Sequence, residues 1–290
     1  MLPGRDMNQS SSFETGLSQA ALVQKPIILS TDKLTRCFGA FTAVDAITLT
    51  LAAGEVFGLV GPNGAGKTTV IKMLTTLLGP TSGTARVGGF DIVRQAASVR
   101  RIIGYVPQAL SVDGSLTGYE NLLIFAKLYD IPRREREVRL REALAFMGLS
   151  DAAEKLVREY SGGMIRRLEI AQSTLHRPRV LFLDEPTIGL DPIARKAVWD
   201  HVKELRDRYG TTIFLTTHYM EEADDLCNRV GIMHAGRVVA SGTPAELKAA
   251  VGGSDTTLDD VFVHFAGDKL ESGGSFRETA SERRMAKRLG

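Results

Sequence analysis

The sequence predicts an α/β fold built on a parallel sheet, and three observations carry that prediction. Strand-like and helix-like segments alternate along the chain without an internal repeat. Two short runs, Val56-Phe57-Gly58-Leu59-Val60 and Val180-Leu181-Phe182-Leu183, are continuously apolar, as strands buried on both faces are. The first run leads into Gly61-Pro62-Asn63-Gly64-Ala65-Gly66-Lys67-Thr68, which satisfies G-x-x-x-x-G-K-[ST] at every position.

Composition sets the limits. The 290 residues are 43% hydrophobic and 24% charged, enough for one large core or two joined ones. A formal charge of +2 gives no support to a broad nucleic-acid-binding face, so no nucleic-acid partner is expected. Cys37 and Cys227 are too few for a disulfide scaffold or a CxxC metal site, which suits a reducing compartment. No apolar run reaches the roughly 18 residues that a membrane span needs. If the protein works at a membrane, another chain crosses it.

Residues 1–27 read as a flexible leader or an alternative-start extension, without an assigned function, and residues 266–290 as a flexible basic tail. The last 14 residues hold five basic side chains against two acidic ones, short of the clusters usually read as lipid-binding. Between these ends, Ile47, Leu49 and Leu51 alternate with Thr48 and Thr50 as a half-buried strand does. After the phosphate loop, Ile71, Leu74 and Leu78 recur at helical spacing. Strand, loop and helix in that order separate a working phosphate loop from a chance match. Its glycines let backbone N–H groups converge on phosphates, and Lys67 supplies a mobile cation. Thr68 is placed to ligate Mg²⁺ through its hydroxyl.

Next comes a helical stretch. Thr117 and Glu120 form a capping-box pattern ahead of Leu122, Leu123, Phe125 and Ala126, and Pro132 closes that segment. Arg133-Arg134-Glu135-Arg136-Glu137, followed by Leu140, Leu144 and Met147, reads as an amphipathic helix with a solvated charged face. A second glycine-rich break, Ser161-Gly162-Gly163, then opens a helix carrying Met164, Leu168, Ala171 and Leu175. One nucleotide does not need two phosphate cradles, so this break points to a nucleotide held by a second copy of the chain.

The run 180–183 delivers Asp184 and Glu185 to the carboxyl end of a strand, the edge where ligands bind in open α/β sheets. Asp184 suits Mg²⁺ coordination, and Glu185 is a candidate for activating water. Standing alone, the pair could simply cap the turn before Pro186; beside a phosphate loop it reads as chemistry. A third run, residues 212–217, ends in His218, placed to reach a γ-phosphate and the attacking water. His176, His201, His234 and His264 read as ordinary surface or core residues.

These motifs in this order resemble the nucleotide-binding domain of ATP-binding cassette (ABC) transporters over residues 28–265. The resemblance implies a P-loop NTPase with a RecA-like core, an antiparallel β subdomain and an inserted helical subdomain near residues 109–165. Residues 61–68, with Thr69 beside them, resemble Walker A, and residues 181–185 resemble Walker B with its catalytic glutamate. Ser161-Gly162-Gly163 is similar to the signature motif and Gly189-Leu190-Asp191-Pro192 to the D-loop. Gln108 resembles the glutamine that senses Mg²⁺ and the membrane subunit, His218 the switch histidine, and Phe38 the aromatic that stacks on adenine. Two departures stand out: Tyr160 and Met164 flank the signature where Leu and Gln are usual, and Phe38 replaces a commoner Tyr. Both leave the phosphate contacts and the π-face in place.

Tyr160 to Met164, together with Leu258-Asp259-Asp260-Val261-Phe262, resembles the exporter branch typified by daunorubicin-resistance transporters. ATP and Mg²⁺ are the implied ligands; the implied partners are a separate transmembrane permease and a second copy of the chain. The implied location is the cytoplasmic face of the membrane. Two other classes share the ATPase motifs: soluble ABC ATPases of translation or DNA maintenance, and non-hydrolysing regulatory cassettes. The single cassette and near-neutral charge oppose the first, and the presence of Glu185 and His218 opposes the second. Import is a minor alternative within transport.

Overall fold

The computed structural model describes residues 25–252 and 255–267. The expected leader, except its last residues 25–27, and almost all of the expected tail lie outside the described residues. In chain order the elements are β1 (Ile27–Phe38), β2 (Phe41–Ala52), β3 (Val56–Val60), α1 (Lys67–Leu74), β4 (Ser82–Val87), β5 (Phe90–Asp91), α2 (Ala96–Ile102) and β6 (Ile103–Val106). The helices α3 (Gly118–Leu128), α4 (Arg133–Phe146) and α5 (Gly162–Thr174) precede β7 (Val180–Asp184) and α6 (Pro192–Tyr209). Then come β8 (Thr212–Thr217), α7 (Met220–Leu226), β9 (Arg229–His234), β10 (Arg237–Gly242), α8 (Pro244–Val251) and α9 (Leu258–Ala266).

Two sheets result. The antiparallel one runs β2-β1-β4-β5, and β2 shows the alternation expected of it, with Ile47, Leu49 and Leu51 inward and Thr48 and Thr50 outward. The larger sheet runs β10-β9-β3-β8-β7-β6 and is parallel except for β10. Its three central strands, β3, β8 and β7, are buried at every residue. Alternation divides their side chains between two cores. Val56, Val60, Leu181, Leu183, Ile213 and Leu215 face the core shared with the helical lobe. Phe57, Phe182 and Phe214 face the core shared with the antiparallel sheet, and their rings form a ladder with centroids 5.4 and 5.7 Å apart. A strand covered on both sides has no solvated face, which is why residues 56–60 and 180–183 are continuously apolar and why the buried threonines of β8 need hydrogen-bond partners.

One element is shorter than its spacing suggests. α1 ends at Leu74, and Leu78 packs on the core from beyond the helix. The Thr75 hydroxyl donates back to the Ile71 carbonyl at 2.8 Å, and Thr76 turns to φ +64, a left-handed conformation that stops the helix.

The lobe between β6 and β7 is helical, as expected. The capping box at Thr117 is complete: Thr117 accepts from the Glu120 amide and the Glu120 carboxylate accepts from the Thr117 amide. α4 buries Leu140 and Leu144 and keeps its charges outward. Tyr160 ties the lobe together, because its hydroxyl donates to the Ala152 carbonyl at 2.6 Å and closes the lobe onto the start of α3. Among the described residues no helix is long and apolar enough to cross a membrane.

Candidate nucleotide site

The order β3-β8-β7 brings the carboxyl ends of three neighbouring parallel strands side by side. β3 opens into the phosphate loop, β8 into His218, and β7 ends at Asp184 beside Glu185. The loop turns into α1 at Gly66, whose φ of +104 is closed to L side chains; a Cβ there would also collide with the Ala43 carbonyl. The N–H groups of Gly64, Gly66 and Lys67 form no backbone hydrogen bond among the described residues. Free amides at a helix start are what a phosphate requires. Lys67 donates to the carbonyls of Gly61 at 2.7 Å and Pro62 at 3.1 Å, and its ammonium lies 3.1 Å from Glu185 Oε1.

Asp184 is 1% exposed. Its Oδ1 accepts from the hydroxyls of Thr216 at 2.6 Å and Thr68 at 3.1 Å, while Oδ2 is buried without a partner. Burial pushes its carboxyl above the usual range, the hydroxyl bonds from Thr216 and Thr68 pull it down, and the Glu185 charge pushes it up again. A buried carboxylate oxygen left unmatched beside a threonine hydroxyl fits a hard oxygen-binding cation such as Mg²⁺.

Glu185 holds a left-handed φ of +50, strain that persists only where the surroundings impose it. Its amide donates to Thr216, and its Oε2 accepts from His218 Nδ1 at 2.7 Å. Lys67, Glu185 and His218 are therefore one connected set. Gln108 follows β6 on the same sheet edge, but its side chain is exposed and makes no hydrogen bond among the described residues. Its carbonyl is gripped instead by Arg166 at 3.1 Å.

Phe38 is 46% exposed at the tip of the β1–β2 hairpin, with the Arg36 guanidinium 4.6 Å above its ring. Ser161 and Gly162 are exposed at the start of α5, where Ser161 accepts from the Met164 amide at 3.3 Å. Gly163 packs so closely on α6 that a Cβ would lie 2.8 Å from the Ala194 methyl. Asp191 caps α6, accepting from the amides of Ile193 and Ala194 at 2.9 Å. Among the described residues, no hydrogen bond or ion pair joins residues 161–163 or Asp191 to residues 61–69. The Walker-type groups meet within one chain; the signature-type groups stand apart.

Two features have no motif of their own in the sequence. Thr216, fully buried, bonds both Asp184 and the Glu185 amide. Its signal was the pair of hydroxyl residues closing an apolar strand, since buried hydroxyls must find partners. The second is a buried ion pair on α5, Arg166 and Glu169 at 2.9 Å. Arg166 holds the Pro107 and Gln108 carbonyls, and Glu169 holds Ser111. The helix that begins at Gly162 thus grips the segment around Gln108.

A phosphate loop at a parallel strand end, facing a carboxylate pair two strands away, defines a P-loop nucleotide hydrolase. The ABC transporter family profile matches residues 44–188. A daunorubicin resistance ATP-binding protein of Streptomyces coeruleorubidus is 47% identical over 225 residues, covering 78% of this chain and 71% of its own. A linearmycin resistance ATP-binding protein of Bacillus subtilis is 39% identical over 231 residues, covering 80% of this chain and 74% of its own. Among solved structures, an ATP-binding subunit of an ABC transporter superposes with a TM-score of 0.73 at 29% identity, covering 82% of this chain and 99% of that one. The chain belongs to the ABC transporter family and is one of its ATPases.

Proposed function

We propose that the chain is the ATP-hydrolysing subunit of an exporter of drugs or natural products, driving a separate membrane-spanning permease from the cytoplasmic face. Two copies pair head to tail, each ATP lying between residues 61–69 of one copy and Ser161, Gly162 and Gly163 of the other, beside Asp191. The observation that carries the pairing is the isolation of the exposed signature-type groups from the phosphate loop of their own chain. The exporter reading rests on likeness to drug-resistance ATP-binding proteins.

In this reading Lys67 and the loop amides hold the phosphates, and Phe38 offers its ring to adenine. Thr68 and Asp184 would hold Mg²⁺, with Gln108 as a further candidate oxygen ligand, and the ion would neutralise phosphate charge. Glu185 takes the proton of the attacking water as the bond from γ-phosphorus to the ADP oxygen breaks. His218 fixes that carboxylate through their 2.7 Å bond. Little covalent work is asked of the protein, so positioning dominates.

The test is dimerisation. Ser161→Arg is expected to bind ATP as a monomer and to remain monomeric by light scattering in a Glu185→Gln background that itself dimerises with ATP. Loss of ATP binding by the Ser161→Arg monomer would count against the shared site. Co-purification from membranes with a spanning subunit checks the permease.

A further inference from the structure

We propose that Glu222 is a positioning residue for ATP hydrolysis, a buried carboxyl group that ties the segments following Glu185, Asp191 and His218 into one unit. The proposal rests on the roles given above to Glu185 and His218.

Glu222 lies on α7, four residues past His218, and is 0% exposed. Its Oε1 accepts from the Thr187 hydroxyl at 2.8 Å and from the Trp199 indole N–H at 2.9 Å. Thr187 belongs to the turn that begins at Glu185, and Trp199 to α6, the helix capped by Asp191. The Thr217 side chain, adjacent to His218, lies close enough to Glu222 to favour its charged form. One carboxyl group therefore touches all three segments that leave the catalytic edge.

Glu222 fits a functional purpose better than packing on two grounds. Glu185 sits at a left-handed φ of +50, so the turn needs an external restraint, and the Thr187 bond supplies one two residues away. In addition, a buried carboxyl group is expensive, and an apolar side chain of similar volume usually serves a core as well or better. Glu222 Oε2 is buried without a hydrogen-bond partner, which no purely structural role requires. Burial pushes the Glu222 carboxyl above the usual range, opposed by its hydrogen bonds and reinforced by the Glu185 charge. An amide, which keeps the acceptor oxygen and is neutral, should substitute for it.

The experiment measures kcat, KM for ATP and melting temperature for the full chain and four variants: Glu222→Leu, Glu222→Gln, Glu185→Gln and the Glu222→Leu/Glu185→Gln double variant. Glu222→Leu should fold, keep KM within about twofold and lose about 10- to 100-fold in kcat, because it disturbs the transition-state geometry rather than binding. Glu222→Gln should recover most of the rate. The double variant should be no slower than Glu185→Gln alone, since both act through the same group. If Glu222→Leu does not fold, Trp199→Phe and Thr187→Val each remove one donor and should lower kcat at constant KM.

Wild-type kcat in Glu222→Leu, or in both donor variants, overturns the proposal. So does a further loss in the double variant, or a fall in kcat matched by a fall in melting temperature that Glu222→Gln does not reverse. Full turnover in Glu185→Gln is a separate failure: it removes the catalytic reading beneath the proposal, whatever the Glu222 variants do.

Discussion

In the proposed mechanism Glu185 is the residue on which the chemistry turns. Its carboxylate is shared between Lys67 and His218, and its backbone is strained, so charge and geometry are both set by neighbours rather than by the residue itself. Glu185→Gln is expected to bind ATP normally and to lose about 10² to 10⁴ in kcat, the usual worth of a general base; steady-state turnover with a parallel binding titration checks it. Lys67 was readable in sequence through the spacing of its glycine-rich loop, and Asp184, Glu185 and His218 because each comes at or just past the end of a strand-like run. Thr216 and Glu222 were not, because their meaning lies in partners far along the chain that only the strand order brings near.

Helices and strands were legible to different degrees. The buried strands announced themselves by continuous hydrophobicity, and the Thr117 capping box by its spacing. The end of α1 was hidden, since apolar periodicity continued to Leu78 while the Thr75 and Thr76 backbone turned away. Thr117→Ala should cost about 1 kcal/mol of stability through the lost cap, seen by chemical denaturation. Stacking also joins α3 to the end of α5, with Tyr129 and His176 rings 3.8 Å apart. Burial holds His176 below its usual value of 6.5, with its bond to the Ile103 carbonyl opposing. The unfolded chain then binds this proton first, so its effect on stability is absent above pH 6.5 and destabilising as pH falls below it. A shallower acid-side loss of stability in His176→Phe than in the wild type is the expected result.

At the scale of the whole molecule, the larger sheet separates two cores, and Phe214 stands at the middle of the aromatic ladder on one of them. Phe214→Ala should cost about 3–5 kcal/mol in denaturant unfolding, because strands packed on both faces cannot collapse into the void. The strand order β3-β8-β7 has a consequence of a different kind. Spacing among the catalytic groups is inherited from backbone ladders, which hold neighbouring strands about 5 Å apart whatever their side chains are. The loop that carries Lys67, the Asp184–Glu185 pair and His218 therefore keep their mutual register even when the side chains of the two cores are exchanged. Reactive geometry of this kind resides in the main chain, so it outlasts changes in the side chains packed around it.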